Sequence, residues 1–327
     1  MTPPQLKKVR FKLTFNISLF IILIALFLLI SLANSVFLYP DYLIGVVLRN
    51  IVEIGILAFP MTLIIITGGI DFSIGSTMIL CAMMSSFAAS AWGNSIGLVA
   101  ALVIGIACGL FNALLIVRVK LAPMVATLAT NYLYLGIAHA VSEGESVYSF
   151  PASTWLGTAE MARFPLQIVF FMVLALVFVF VLDRTTLGRK LFAIGLNENS
   201  ARYSGIDTGR VKVLIYLISG VLCAFAGLIW LGRFSSIKYN AGATIPLKVV
   251  TIVVLGGTSI MGGTGDMRGT ILGALIVAVL NSGLVVLGIP IAVQNIVHGF
   301  VLMLSLICYF YINRNITKKQ QLFKAPT

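Results

Sequence analysis

Apolar stretches close to the ~20 residues that a helix needs to cross a bilayer recur along almost the whole of this chain, and that recurrence leaves few folds open. Ten such spans are read at about 15–33, 43–67, 72–92, 96–117, 121–141, 165–183, 213–231, 247–265, 269–288 and 291–312. Composition agrees: 60% of the 327 residues are hydrophobic and only 10% are charged. The 15–33 span follows four basic residues, but it is longer than the apolar core of a signal peptide and no small-x-small cleavage site follows it cleanly. It is read as a retained first helix. The expected fold is an all-α integral membrane protein of about ten transmembrane helices interrupted by Gly-rich segments.

Charge sets the orientation. Lys7, Lys8, Arg10 and Lys12 precede the first span, Arg184, Arg189, Lys190, Arg202, Arg210 and Lys212 lie in the 184–212 loop, and Arg314, Lys318, Lys319 and Lys324 lie in the tail. Placing both termini and this loop in the cytoplasm satisfies the positive-inside rule. The opposite side carries Glu143, Glu145 and Glu160 against Arg163, with Arg233 and Lys238 as a mild exception. The organisation expected is a basic cytoplasmic N-terminus (1–14), a polytopic domain (15–312) and a basic cytoplasmic tail (313–327). The net charge of +12 is spread over membrane flanks, and no soluble segment is long enough for a nucleic-acid-binding domain.

One span ends in an unusual way. The apolar run 61–66 is followed by Thr67-Gly68-Gly69-Ile70-Asp71-Phe72-Ser73-Ile74-Gly75-Ser76. A carboxylate at membrane depth is costly, and glycines there free backbone groups that hydrocarbon cannot satisfy, so the segment must face protein or a water-filled path. Two readings stand side by side: a transport route shaped by Gly68, Gly69, Asp71, Ser73 and Gly75, or a short turn in which Asp71 caps the next helix. An echo occurs later, where Ile245-Pro246 and an apolar run lead into Gly256-Gly257 and then Gly262-Gly263. Gly-interrupted hydrophobic segments in two halves of a chain point to a midplane site. Glycine is also frequent wherever membrane helices pack closely. The two segments run in the same direction by the span count.

Other polar groups within the spans are few. Glu53 follows Arg49 by one helical turn, and an i, i+4 ion pair is expected. Asn112, Asn131, Asn281, Gln294 and Asn295 are neutral groups that could bond helix to helix or, as for Asn131 and Asn281, line a hydrated cavity. His139 and His298 stand alone near membrane ends and are read as structural. Cys81, Cys108, Cys223 and Cys308 show no metal or disulfide spacing and read as packing residues. No cofactor or metal site is expected. The chain has no Gly-x-x-x-x-Gly-Lys-Ser/Thr loop to hold ATP, and no catalytic constellation stands out, so no enzyme activity is expected of it.

The 184–212 loop carries Gly188-Arg189, Ala193, Gly195, Asn197, Ala201 and Ser204-Gly205-Ile206, followed by Arg210 and Lys212. It resembles the cytoplasmic signature of ribose-type ABC importer permeases, Gly-Arg-x-x-x-Ala-x-Gly-x-Asn-x-x-Ala-Ala-x-x-Ser-Gly-Ile. Leu196 and Ser200 depart from that pattern. Residues 68–75 are similar to the family's Gly-Gly-Ile-Asp-x-Ser-x-Gly, and residues 254–270 to its Leu-Gly-Gly-x-x-x-x-Gly-Gly-x-Gly stretch, where Asp266 and Arg268 replace smaller or apolar residues. Within the family, residues 55–83 look most like the autoinducer-2 import permeases.

The resemblance implies a permease subunit in a bacterial inner membrane that moves a pentose-like sugar, or the furanose-derived autoinducer-2, by alternating access. It implies two ATP-hydrolysing subunits, or one with tandem nucleotide sites, a periplasmic sugar-binding protein, a second permease, identical or a sister, and surrounding membrane lipid. Gly195, Asn197, Ala201, Ser204, Gly205 and Ile206 are then the residues that receive the push of the ATPases. Two alternatives are a branched-chain amino-acid permease and an ion-coupled secondary transporter that works without an ATPase.

Overall fold

A computed structural model describes residues 3–161 and 164–322, with side chains over 15–161 and 164–307. Arg163 lies outside the described residues, as do the side chains of Cys308 and of the basic residues at the two ends. The helices are α1 (Pro3–Ala33), α2 (Pro40–Tyr42), α3 (Arg49–Ile66), α4 (Ile74–Trp92), α5 (Asn94–Val117), α6 (Pro123–Ser142), α7 (Pro151–Thr158), α8 (Leu166–Arg184), α9 (Thr186–Leu196), α10 (Glu198–Tyr203), α11 (Thr208–Phe234), α12 (Ile245–Leu255), α13 (Met267–Val286) and α14 (Ile291–Leu322). A π-helical stretch, Leu43–Leu48, leads from α2 into α3. Strand content among the described residues is two short pairs. β1 (Val147–Tyr148) pairs antiparallel with β4 (Ser236–Ile237), and β2 (Glu160–Met161) with β3 (Phe164–Pro165).

Eight helices among the described residues are long and apolar enough to cross a membrane. The expected span at 247–265 is corrected: only Ile245–Leu255 is helical, and at 1.5 Å per residue its 11 residues cover roughly 16 Å, about half of a hydrocarbon core. Glycines at 256, 257, 262 and 263 turn the rest into irregular backbone. The expected 72–92 span begins at Ile74, after a break of the same kind.

Helix α3 forms the centre, with every residue from Ile51 to Ile66 except Ile54 buried. Pro60 sits inside it, fully surrounded by protein, where neighbouring helices compensate for the lost backbone bond. Helix α11 packs across α5 and α4 by direct backbone approach. A Cβ at Gly105 or Gly220 would overlap the other's carbonyl, one at Gly109 would overlap the Tyr216 carbonyl, and one at Gly227 would overlap that of Met78. Small residues let membrane helices approach this closely where no hydrophobic force between helices exists. The β1–β4 pair ties the connection after α6 to the one after α11, so these two segments lie at the same end of the bundle.

Candidate functional site

At the end of α3 the helix cannot continue: Gly68 takes φ +83, a left-handed conformation costly for any residue with a Cβ, and Gly69 N–H turns back to the Ile64 carbonyl (3.0 Å). The chain then runs without regular structure to Ser73, the N-cap position of α4. Asp71 therefore does not cap α4 itself. It fixes the residue that does, because its Oδ1 accepts the Ser73 N–H (2.9 Å) and the Ser73 hydroxyl (2.6 Å).

Three neighbouring helices complete that network. Ser219 of α11 donates to Asp71 Oδ2 (3.2 Å), and Asn112 Nδ2 of α5 donates to Ser73 Oγ (2.8 Å). The Tyr134 hydroxyl of α6 in turn donates to Asn112 Oδ1 (3.2 Å). On the other flank Thr127 Oγ1 accepts from Phe72 N–H (3.1 Å) and meets the Ile70 carbonyl (3.0 Å). Asp71 is 2% exposed and Ser73 not at all, and Asp71 pairs with no basic group among the described residues. Asn112 thus bonds helix to helix. Sequence reading identified Asp71 and Ser73 but not Ser219, Thr127 or Tyr134, whose partners lie far along the chain.

The second break is built from backbone. Ser259 N–H bonds the Thr264 carbonyl (3.0 Å), Gly262 N–H bonds the Ser259 carbonyl (2.9 Å), and Gly256 lies against Gly269 at the start of α13. Asp266 caps α13 through Arg268 N–H (3.1 Å) and accepts a bond from Asn16 Nδ2 of α1 (2.8 Å). Arg268 reaches Asp183 of α8 (3.0 Å). These two departures from the family pattern have partners, so they anchor the turn.

The two breaks touch each other and the 184–212 segment. Gly263 N–H donates to the Ile66 carbonyl at 2.9 Å, and a Cβ at Gly195 would collide with that same carbonyl and with the Gly263 nitrogen. Gly195 is next to last in α9. Asn197 then caps α10 by accepting from Ser200 N–H (2.9 Å), Ala201 is buried, and Ile206 N–H returns to the Ala201 carbonyl (3.1 Å) across Gly205. Ser204 Oγ donates to the Ser200 carbonyl (2.9 Å). The α10 turn is held to α11 by Lys212, whose ammonium donates to both oxygens of Glu198 (2.8 and 2.7 Å). Burial pushes the Glu198 carboxyl up, but the bonds and charge of Lys212 outweigh it and hold the carboxyl below its ordinary range. Leu196 and Tyr203 remain exposed, the latter by 91%.

At the other end of the bundle the expected Arg49–Glu53 pair is replaced. Glu53, 1% exposed, pairs with Arg233 of α11 (3.2 Å), while Arg49 pairs with Glu160. Arg233 also donates to the Arg49 carbonyl (2.8 Å) and to Asn50 Oδ1 (2.6 Å). Arg233, the sequence's exception in the charge pattern, is thus the counter-ion of a buried carboxylate, which a helical i, i+4 rule could not anticipate. Asn281 and His298 bond to each other across α13 and α14, Gln294 Nε2 donates to the Ile289 carbonyl (2.8 Å), and Asn131 is half-buried on α6. His139 meets Tyr239 edge-on (4.4 Å between ring centroids).

Broken helices, a buried polar network and a polar segment docked on both breaks define a membrane permease, the class in which irregular backbone is tolerated because protein encloses it. Residues 43–306 match the family described as branched-chain amino acid transport system, permease component, and the chain belongs to that family. It is 36% identical over 296 residues to the ribose import permease protein RbsC of Bacillus subtilis (strain 168), covering 88% of this chain and 90% of the relative. It is 35% identical over 302 residues to the autoinducer 2 import system permease protein LsrD of Klebsiella pneumoniae, covering 90% and 91%. Against LsrD of Yersinia enterocolitica the identity is 37% over 262 residues, covering 78% and 79%. No solved structure matches the chain.

Proposed function

We propose that this chain is the permease subunit of an ABC importer for a pentose-like sugar or the furanose-derived autoinducer-2, working in the bacterial inner membrane with both termini and 184–212 in the cytoplasm. ATP hydrolysis belongs to separate subunits, a periplasmic sugar-binding protein delivers the solute, and a second permease completes the passage. The observation that carries the coupling part is the contact of Gly195 with the Ile66 carbonyl and Gly263. An ATPase that docks on Asn197, Ala201, Ser204, Gly205 and Ile206, with Leu196 and Tyr203 exposed beside them, pushes at one place on both breaks. ATP can drive the switch only by favouring one docked arrangement over the other.

Gly68, Gly69, Asp71, Ser73 and Gly75, with Gly256, Gly257, Gly262 and Gly263, then shape the route: Gly69, Asp71, Ser73, Gly75, Gly256 and Gly263 are buried and form its jointed wall, Gly257 and Gly262 are half-buried, and Gly68 is exposed at the turn. The sugar reading over the amino-acid reading is supported by the ribose and autoinducer-2 relatives at 35–36% identity. The test is uptake of labelled ribose, autoinducer-2 and leucine by cells carrying the chain with its neighbouring ATPase and binding-protein genes. ATP-dependent uptake of ribose or autoinducer-2 is expected. Uptake of leucine alone, or sugar uptake that an ion gradient drives with the ATPase deleted, would replace this reading with one of its rivals.

A further inference from the structure

One cavity shares no residue with the breaks or with the 184–212 segment. It encloses about 360 Å³ and is lined by Trp155 and Leu156 of α7, Val169 and Val173 of α8 and Ile229 of α11, among others. Its origin is a mismatch in how these three helices pack. Helix α7 locks onto α11 by main chain, since a Cβ at Gly157 would overlap Gly232 and the Arg233 nitrogen. Helix α8 has no glycine, so it does not approach α11 in that way. The two meet through side chains instead, where the rings of Phe170 and Phe225 stand tilted with centroids 5.6 Å apart. The space beside this ring pair stays unfilled.

The chemistry of the lining selects the occupant. Apart from the Trp155 indole, Gln167 is the one polar side chain among the described lining residues, and its Nε2 already donates to the Gly157 carbonyl. A buried water needs two to four polar partners, so an apolar space of this kind does not hold it. A helix of a second permease is a poor match as well, because membrane helices join through small residues or polar groups and this lining is branched and aromatic. Hydrocarbon fits. The cavity opens on the flank of the bundle, where Trp155 and Val173 are 60% and 52% exposed, so a lipid chain enters from the side without crossing protein. Tryptophan is the residue that favours the level of the lipid headgroups. From Leu166 at the start of α8 to Val173 the cavity follows the helix for about 10 Å, roughly a third of a hydrocarbon core.

We propose that this cavity is a binding site for one acyl chain of a membrane phospholipid, held between α8 and α11 with Trp155 at the headgroup level. The chain supplies the contacts with α11 that α8 lacks. Helix α8 continues into α9 through Thr185, whose hydroxyl donates to the Val181 carbonyl (2.6 Å) and accepts from Gly188 N–H (3.4 Å). Helix α11 holds α10 through Lys212 and Glu198. The lipid thus packs between the two helices that flank the 184–212 segment and fixes their spacing. It involves neither solute nor ATP, so the site stands whichever solute the permease moves.

The test places the full chain in vesicles of phosphatidylethanolamine and phosphatidylglycerol brominated on an acyl chain, because bromine quenches tryptophan fluorescence at close contact. Trp92→Phe with Trp230→Phe leaves Trp155 as the sole reporter. After extraction into detergent and washing, which strips exchangeable lipid, Trp155 is expected to keep most of the quenching seen in the bilayer. Val169→Phe and Ile229→Phe, which fill the cavity from its two walls, should abolish that retained quenching. Leu176→Phe, on α8 beyond the cavity and 72% exposed, should not. Full recovery of fluorescence on washing, or no difference between the filling variants and Leu176→Phe, would overturn the site. Trp155 left unquenched in the brominated bilayer itself would also overturn it and give this flank to a second protein. Native mass spectrometry of the wild-type chain needs no reporter: a phospholipid retained per chain and lost in Ile229→Phe is expected, and none retained would overturn the proposal even where the reporter variant does not fold. No readout here involves sugar, so the lipid site and the transport reading fail separately.

Discussion

The two Gly-rich breaks solve one problem by opposite means. Both interrupt an apolar helix and both must satisfy backbone groups that hydrocarbon cannot. The first does so with side chains: Asp71, Ser73, Asn112, Thr127 and Ser219 are drawn from four separate stretches of sequence into one network. The second folds its own backbone into turns, and two of its glycines, Gly256 and Gly263, lie directly against other main chain. A network of side chains has alternatives when one member changes, because hydroxyls and amides can rotate to new partners. Backbone against backbone has none. Substitutions at the shared contact should therefore be the most damaging, those in the first break graded by chemistry, and side-chain changes in the second break mild.

The largest effect is expected at Gly195, where the two breaks and α9 meet. A Cβ there would overlap the Ile66 carbonyl and Gly263 nitrogen, neither of which can rotate away. Overpacking of this kind costs roughly 1–3 kcal/mol and more when only main chain can yield. Gly195→Val should reduce uptake per assembled complex to background, with Gly195→Ala intermediate. Wild-type uptake in Gly195→Val, measured against the amount of complex in purified membranes, would separate the breaks from the cytoplasmic segment and end the single-push account.

A smaller, graded effect is expected at Asp71. Asp71→Ala strands the Ser73 N–H, the Ser73 hydroxyl and the Ser219 hydroxyl, each a buried group worth ~1–3 kcal/mol when left unsatisfied. Asp71→Asn keeps an oxygen for Ser73 and offers an amide to Ser219 Oγ. Thermal unfolding in detergent and uptake should both rank wild type close to Asn and well above Ala. If Asn falls as far as Ala, the negative charge itself is required, and the first break is more than a hydrogen-bonded joint.

The legibility of these features followed the range over which their causes act. The apolar spans and the breaks are readable because hydropathy and glycine are local signals, whereas the sequence reading names Asn197 only within the docking segment and not as the cap of α10. Hydropathy extends α12 too far because Val254 and Leu255 run into glycines that are apolar by count but cannot hold a helix. The sequence points Arg49 to Glu53 because it shows only neighbours within a turn. Arg233, far along the chain, wins that carboxylate because α11 packs against α3 and burial demands a partner. Ser219 and Tyr134 escaped for the same reason: a serine or tyrosine in a membrane helix carries no mark of the distant carboxylate or amide it will meet.

The smallest effect tests the second break alone. Thr258 is fully buried, and its hydroxyl has no hydrogen-bond partner among the described residues. Replacing an unpaired buried hydroxyl by a methyl group of the same shape removes a desolvation cost and no bond, so Thr258→Val should leave uptake unchanged and stability unchanged or slightly raised, by less than about 1 kcal/mol. Ser73→Ala, by comparison, removes a hydroxyl that donates to Asp71 and accepts from Asn112, and should lower both measures. Equal tolerance at the two positions would mean that the first break does not depend on its side chains. Equal intolerance would mean that the Thr258 hydroxyl is used in a state of the transport cycle that this structure does not display, and the division between a side-chain joint and a backbone joint would fail.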